Sequence, residues 1–139
     1  MKILLCTDGS KNAVRATACV ATLSQAFRQL DVALLYVDIP LTERISTLLE
    51  SDAVEHMHRA NAESAFKSVR GRLHRARIRP RELVQSGNVV ECITRTARRG
   101  KFDLIVIGSR GHSPLVDWML GSTTSEVLAA NKVPVLVVP

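Results

Sequence analysis

Apolar residues along this chain fall into two alternating patterns: short continuous runs, and longer stretches where they recur every three or four positions. Ile3-Leu4-Leu5-Cys6 is the first run, and it stops at Asp8-Gly9-Ser10. From Ala13 the spacing changes, and Ala13, Ala16, Val20, Leu23 and Phe27 mark one face of a helix. Val32 to Val37 predicts a second strand, ended by Asp38-Ile39-Pro40. A long helical region follows, about Glu43 to Leu73, with Ala62, Phe66, Val69 and Leu73 on one face. Glu82-Leu83-Val84-Gln85 is a weaker third strand. Val89, Ile93 and Ala97 mark a third helix closed by Gly100, and Asp103 to Ile107 is a fourth strand. Ser122 to Ala130 predicts a fourth helix and Val133 to Val138 a fifth strand.

Strand and helix thus alternate four times before a last strand. Such alternation predicts parallel strands joined by crossover helices. The strand runs are continuous rather than alternating, so helices are expected on both faces of the sheet. No repeat or linker divides residues 1–139, which read as a single α/β domain. An open parallel sheet takes its ligand beyond the carboxyl ends of its strands, where the strand order reverses. Function is therefore to be sought at Asp8-Gly9-Ser10, Val37-Asp38, Ser86-Gly87-Asn88 and from Gly108 onward.

Composition narrows the picture. Hydrophobic residues make up 46% and charged residues 23%, which fits a packed globular chain rather than a disordered one. Lysine and arginine number 19 against 13 acids, a formal +6 that invites an anionic partner. Six arginines, Arg70, Arg72, Arg75, Arg77, Arg79 and Arg81, account for the whole excess, and residues 70–81 contain no acid. Arginines there complement the dipole of a helix C-terminus, or else receive an acidic partner. With five aromatic residues the chain is poorly equipped to stack single-stranded bases, which argues against nucleic acid. Cys6, Cys19 and Cys92 are odd in number and lack a C-x-x-C, so neither a disulfide framework nor a zinc site is expected. No run approaches the roughly 18 apolar residues of a membrane span. The run after Met1-Lys2 is too short for a signal peptide. A cytoplasmic location is the expectation, in keeping with free thiols.

The candidate chemistry lies in a glycine-rich segment. Gly108-Ser109-Arg110-Gly111 follows strand four, and Gly121-Ser122-Thr123 opens the last helix. The first glycine would let a ligand approach the strand end, and the second suits a tight turn. The third stands at a helix mouth, where unpaired N–H groups and the dipole favour phosphate oxygens. Ser122 and Thr123 add hydroxyl donors, and Arg110 is a candidate phosphate partner. Turn glycines and a helix cap are the alternative reading. A P-loop, a G-x-G-x-x-G fingerprint and a G-x-S-x-G elbow are all missing.

Gly108-x2-Gly111-x9-Gly121-Ser122 resembles the nucleotide-binding signature of the universal stress protein family. The resemblance spans the chain: the first strand ending in Asp8-Gly9-Ser10, Leu34-Leu35-Tyr36-Val37-Asp38, Asp103 to Gly111, and the closing Pro134-Val135-Leu136-Val137-Val138. It implies a five-stranded parallel sheet of order 3-2-1-4-5, with the reversal between strands one and four. It also implies membership of the ATP-binding subgroup, with ATP and Mg2+ as cofactors. By position, Asp8 matches the aspartate near the ribose or the metal, and Val37 the residue whose backbone reads the adenine edge. Gly108, Gly111, Gly121, Ser122 and Thr123 match the ribose and phosphate contacts. Cys6 stands where some members have proline. The stretch His112 to Leu120 departs from the family's usual run of small, basic and leucine residues, with Ser113-Pro114 reading as a helix start and Asp117 in its first turn. The family commonly dimerises through its last strand, so a homodimer through Val133 to Val138 is expected.

Catalysis is less well supplied. Phosphoryl transfer needs a positioned base and charge stabilisation. Asp8 is the one acid placed at the site, and it serves equally well to cap a turn. A nucleotide-dependent switch or adaptor in stress response is the first reading. A slow ATPase or autophosphorylating enzyme, or a nucleotide-free dimeric adaptor, is the alternative. His56 and His58 are two apart, off a shared helix face, and read as solvated; His112 is a candidate phosphate contact.

Overall fold

The computed structural model describes residues 1–40, 51–111 and 120–139. Strands β1 (Lys2–Cys6), β2 (Asp31–Asp38), β3 (Arg81–Ser86), β4 (Leu104–Gly108) and β5 (Val135–Val138) alternate with helices α1 (Lys11–Ala26), α2 (Ser51–Arg75), α3 (Val89–Arg99) and α4 (Ser122–Ala130). All five strands are parallel, in the order β3-β2-β1-β4-β5. The predicted α/β architecture and strand order are therefore what the chain adopts. The predicted helix start at Ser113-Pro114, with Asp117, and residues 43–50 of the long helical region fall outside the described residues.

The continuous runs follow from a sheet covered twice. Along β1, Ile3 and Leu5 pack with Val20 of α1 and Phe66, Val69 and Leu73 of α2. Leu4 and Cys6 point the other way, toward Ile93 and Ala97 of α3 and Val127 of α4. Successive strand side chains alternate faces, so a strand buried on both sides needs an apolar residue at every position. β3 reads weaker because it is an edge strand and its outer residues are exposed.

Three details depart from the pattern. Phe27 lies beyond α1 rather than on its buried face: it is the C-cap, in extended conformation, and is 42% exposed. The last strand starts at Val135, two residues later than Val133, after Pro134, which has no N–H to donate to a ladder. Gly100 does not supply the left-handed residue that ends α3. Lys101 does, at φ 51°, while Phe102 N–H donates to Ala97 O. Gly100 is in the right-handed region, and a Cβ there would run into the Phe102 ring.

α2 closes in the same way, with Arg77 at φ 60° and Ile78 N–H donating to Leu73 O. A left-handed turn of this kind usually falls to glycine. Arg77→Gly is accordingly expected to stabilise the fold by about 1 kcal/mol, the usual left-handed penalty of an L-residue. A urea midpoint that rises with an unchanged slope would show it.

The basic segment is not uniformly unpaired. Arg70 makes hydrogen bonds of 2.6–3.0 Å to Glu63 and Glu82, which raise its pKa and lower that of Glu63. Arg81 lies 3.7 Å from Asp31. Arg72, Arg75, Arg77 and Arg79 are exposed. Among the described residues no helix is long and apolar enough to cross a membrane.

Candidate functional site

Strand order reverses between β1 and β4, and a cleft of about 480 Å³ opens above their carboxyl ends. One side of it is apolar, walled by Cys6, Leu35 and Ile107 from the sheet and Val89 and Ile93 from α3. The loop and helix ends bring polar groups to it, with Asp8, Arg110, Gly111, Ser122 and Thr123. A flat apolar ring with an anionic tail would match this division.

The β1–α1 turn shapes one wall. Gly9 takes φ +80°, a conformation open to glycine at little cost. Ser10 N–H donates to Asp8 Oδ1 at 2.9 Å, and Ser10 Oγ caps α1 by accepting from Ala13 N–H at 3.2 Å. Asp8 therefore does hold the turn, through one oxygen. Its other oxygen faces Gly111, where an added Cβ would lie only 2.5 Å from Asp8 Oδ2.

The opposite wall is the start of α4. Thr124, buried in the first turn, donates its hydroxyl to Gly108 O at 2.9 Å, and Gly121 N–H donates to Ser109 O at 2.8 Å. These bonds tie the helix mouth to the end of β4. Gly121 is the N-cap, and among the described residues no side chain caps this helix. Its first N–H groups thus stand beside the cleft, with the positive end of the helix dipole.

Packing accounts for two of the signature glycines, while Gly121 stands at the helix mouth as its position predicts. Gly108 is required by packing: a Cβ would meet Asn12 C and Cβ at 2.9 Å and Ala13 N at 3.1 Å. It lets α1 approach β4, and the ligand-approach reading of that glycine is not needed to explain it. Gly111 does not take the positive φ of a glycine turn; its missing side chain makes room for Asp8.

All eight candidate positions, Asp8, Val37, Gly108, Arg110, Gly111, Gly121, Ser122 and Thr123, line this cleft. His112 lies outside the described residues. The full chain, residues 1–139, matches the family model described as the universal stress protein family.

The chain belongs to the universal stress protein family.

Relatives agree along the whole length. A universal stress protein encoded in the QAH/OAS sulfhydrylase 3′ region of Thermus aquaticus is 34% identical over 142 residues, covering 98% of this chain and 96% of its own. Universal stress protein Rv1636 of Mycobacterium tuberculosis is 27% identical over 139 residues, covering 98% and 94%. The solved structure of hypothetical protein MJ0577 superposes with a TM-score of 0.82 at 27% identity, covering 99% and 94%. More distant structures carry nucleotides. A universal stress protein in complex with cAMP has a TM-score of 0.73 at 22% identity (100% and 97% covered), and one from Archaeoglobus fulgidus in complex with dAMP 0.73 at 17% (100% and 98%). A family member from Arabidopsis thaliana with AMP bound has 0.70 at 14% (99% and 90%).

Residues beyond the universal stress protein signature also build the cleft. Thr124 was invisible to a motif that ends at Thr123; its only signal was a hydroxyl in the first turn of a helix beside a strand end. Asp38 is 7% exposed, lines the cleft, and accepts from Tyr36 Oη at 3.3 Å. His58 is not a solvated helix residue: its Nδ1 lies 2.6 Å from Asp38 Oδ2, while His56 remains exposed. Burial, then the Asp38 charge and hydrogen bond, then Asp8, push the Tyr36 hydroxyl up to about 12. Burial likewise pushes the Cys6 thiol up to about 12, so it is a neutral wall residue and no nucleophile near neutral pH. Among the described residues no cluster of three or more His, Cys, Asp or Glu side chains could hold a metal ion.

Proposed function

We propose that this chain is an ATP-binding universal stress protein of the signature-bearing subgroup, acting as a nucleotide-dependent switch or adaptor in stress response. The observation that carries this reading is the division of the cleft. An apolar slot between the sheet and α3 suits adenine, and the mouth of α4 beside Arg110, Gly111 and Gly121 suits the phosphates. The nucleotides held by more distant structures of the fold support an adenine ligand.

In this reading Val37 offers backbone groups to the base. Asp8, Gly108, Gly111, Gly121, Ser122, Thr123 and Arg110 receive the ribose and phosphates. Mg2+ enters with the triphosphate, since it binds through phosphate oxygens and one or two carboxylates, and Asp8 is the carboxylate on hand. The whole of residues 1–139 works as one domain, in the cytoplasm. A symmetric homodimer forms through β5, a half-buried apolar edge strand of the kind that pairs with another chain.

The deciding experiment is mass spectrometry of the freshly purified protein with chromatography of the released nucleotide. Bound ATP that survives hours with Mg2+ is the expected result. Rapid conversion to ADP, lost in Asp8→Ala, would make the protein an enzyme instead. An empty site, with no rise in melting temperature at millimolar ATP, would leave a nucleotide-free adaptor.

A further inference from the structure

The wall of the cleft beside β2 carries a titratable pair that the nucleotide signature does not include. Asp38 ends β2, is nearly inaccessible, and lines the cleft. His58 comes from the first half of α2 and sets Nδ1 2.6 Å from Asp38 Oδ2, with 26% of its side chain exposed to solvent. Asn61, one turn along α2, places Nδ2 3.5 Å from the same oxygen. From β2, Tyr36 donates to the other carboxylate oxygen and stays a neutral phenol through the working range. From the β1–α1 turn, the Asp8 charge is near enough to act on Tyr36. Glu55 of α2 is tied to Arg59 on the exposed side. Among the described residues His58 is the only basic side chain that pairs with Asp38.

We propose that the Asp38–His58 pair couples proton uptake to nucleotide binding in this cleft, a regulation that rests on the adenine-nucleotide reading of the site. With a neutral imidazole the pair carries one negative charge into the cleft wall; with an imidazolium it carries none. The ligand is an anion, and so is the neighbouring Asp8. The nucleotide therefore binds better to the chain whose His58 is protonated. By linkage, a bound nucleotide draws a proton onto His58. The sign follows: affinity is highest at the acid end, falls as pH rises through the imidazole range, and levels off beyond it. The partial exposure of His58 lets the proton exchange with solvent while Asp38 keeps the charge inside the cleft.

The test is ATP affinity by titration calorimetry at fixed ionic strength, from about pH 5.5 to 8.5, where imidazoles titrate. It is run on the full chain and on His58→Gln. Glutamine keeps an amide donor for Asp38 and has no charge to lose. The terminal phosphate of ATP titrates in the same range, but its contribution is common to both proteins. The natural chain is expected to lose roughly threefold to tenfold more affinity across the range than the variant, the scale of one unit charge acting across a solvated cleft. In the natural chain, adding ATP at a fixed pH within this range is expected to move the imidazole resonance of His58 toward its protonated position. Parallel affinity profiles with binding intact in both proteins, or a His58 resonance indifferent to saturating ATP, would overturn the coupling and leave the nucleotide reading standing. No ATP binding at any pH in either protein would overturn the nucleotide reading, and the coupling with it.

Discussion

Replacing Gly111 by alanine is expected to weaken ATP binding roughly 10- to 100-fold, the worth of one charge-assisted hydrogen bond of about 1.5–3 kcal/mol. The new methyl would lie 2.5 Å from Asp8 Oδ2, well inside contact distance. Asp8 cannot easily yield, because its other oxygen accepts from Ser10 N–H at 2.9 Å and Ser10 in turn caps α1. Either the carboxylate leaves its place or the Arg110–Gly111 segment moves away from it. Both displace groups assigned to the ribose, the phosphates or Mg2+. Gly111 is itself exposed, so the melting temperature of the nucleotide-free protein should move by no more than about 2 °C, as for most surface substitutions. Calorimetric titration beside a thermal melt separates the two effects. Unchanged affinity would remove Asp8 and Gly111 from the proposed site.

Gly108→Ala should behave in the opposite way, with its main loss in stability. The added carbon meets backbone atoms of Asn12 and Ala13 at 2.9–3.1 Å, not the end of a flexible side chain. Relief requires α1 to separate from β4, at a place where Asn12 Nδ2 also donates to Ser109 Oγ at 3.2 Å. Overpacking against backbone belongs at the upper end of such penalties, roughly 3 kcal/mol. For a chain of this length that lowers the melting temperature by about 10 °C. Urea denaturation without nucleotide should show the drop in full. A variant with the natural midpoint would show that α1 adjusts freely, and that packing does not require this glycine.

These two glycines show how far the site could be read from the chain. Position within the signature directs attention to the ends of β1 and β4, where an open parallel sheet usually takes its ligand, and the structure opens a cleft there. The reason each glycine is a glycine is not a matter of position. Gly108 answers to α1 and Gly111 to Asp8, partners 96 and 103 residues away along the chain. Asp38 and His58 make the same point. Their separation of 20 residues fits no local motif, and two histidines at i and i+2 look like a solvated helix face. Only the docking of α2 against β2 sets the imidazole on the carboxylate. The arginine segment divides likewise, since Arg70 meets Glu63 from one turn of α2 and Glu82 from the next strand.

The amino-acid sequence by itself determined the class of fold, the number and order of its strands and helices, and which strand ends would face one cleft. Those properties depend on local periodicity and on chain order: continuous apolar runs demand burial on two faces, and alternation of strand with helix demands parallel crossovers. The tertiary structure decided the rest. It determined which oxygen of Asp8 faces the glycine segment, that Thr124 anchors the α4 mouth, that β5 begins only after Pro134, and that His58 Nδ1 lies against Asp38 Oδ2. Each of these depends on contacts between distant parts of the chain at separations of a few ångströms, and such distances exist only once the helices have settled on the sheet.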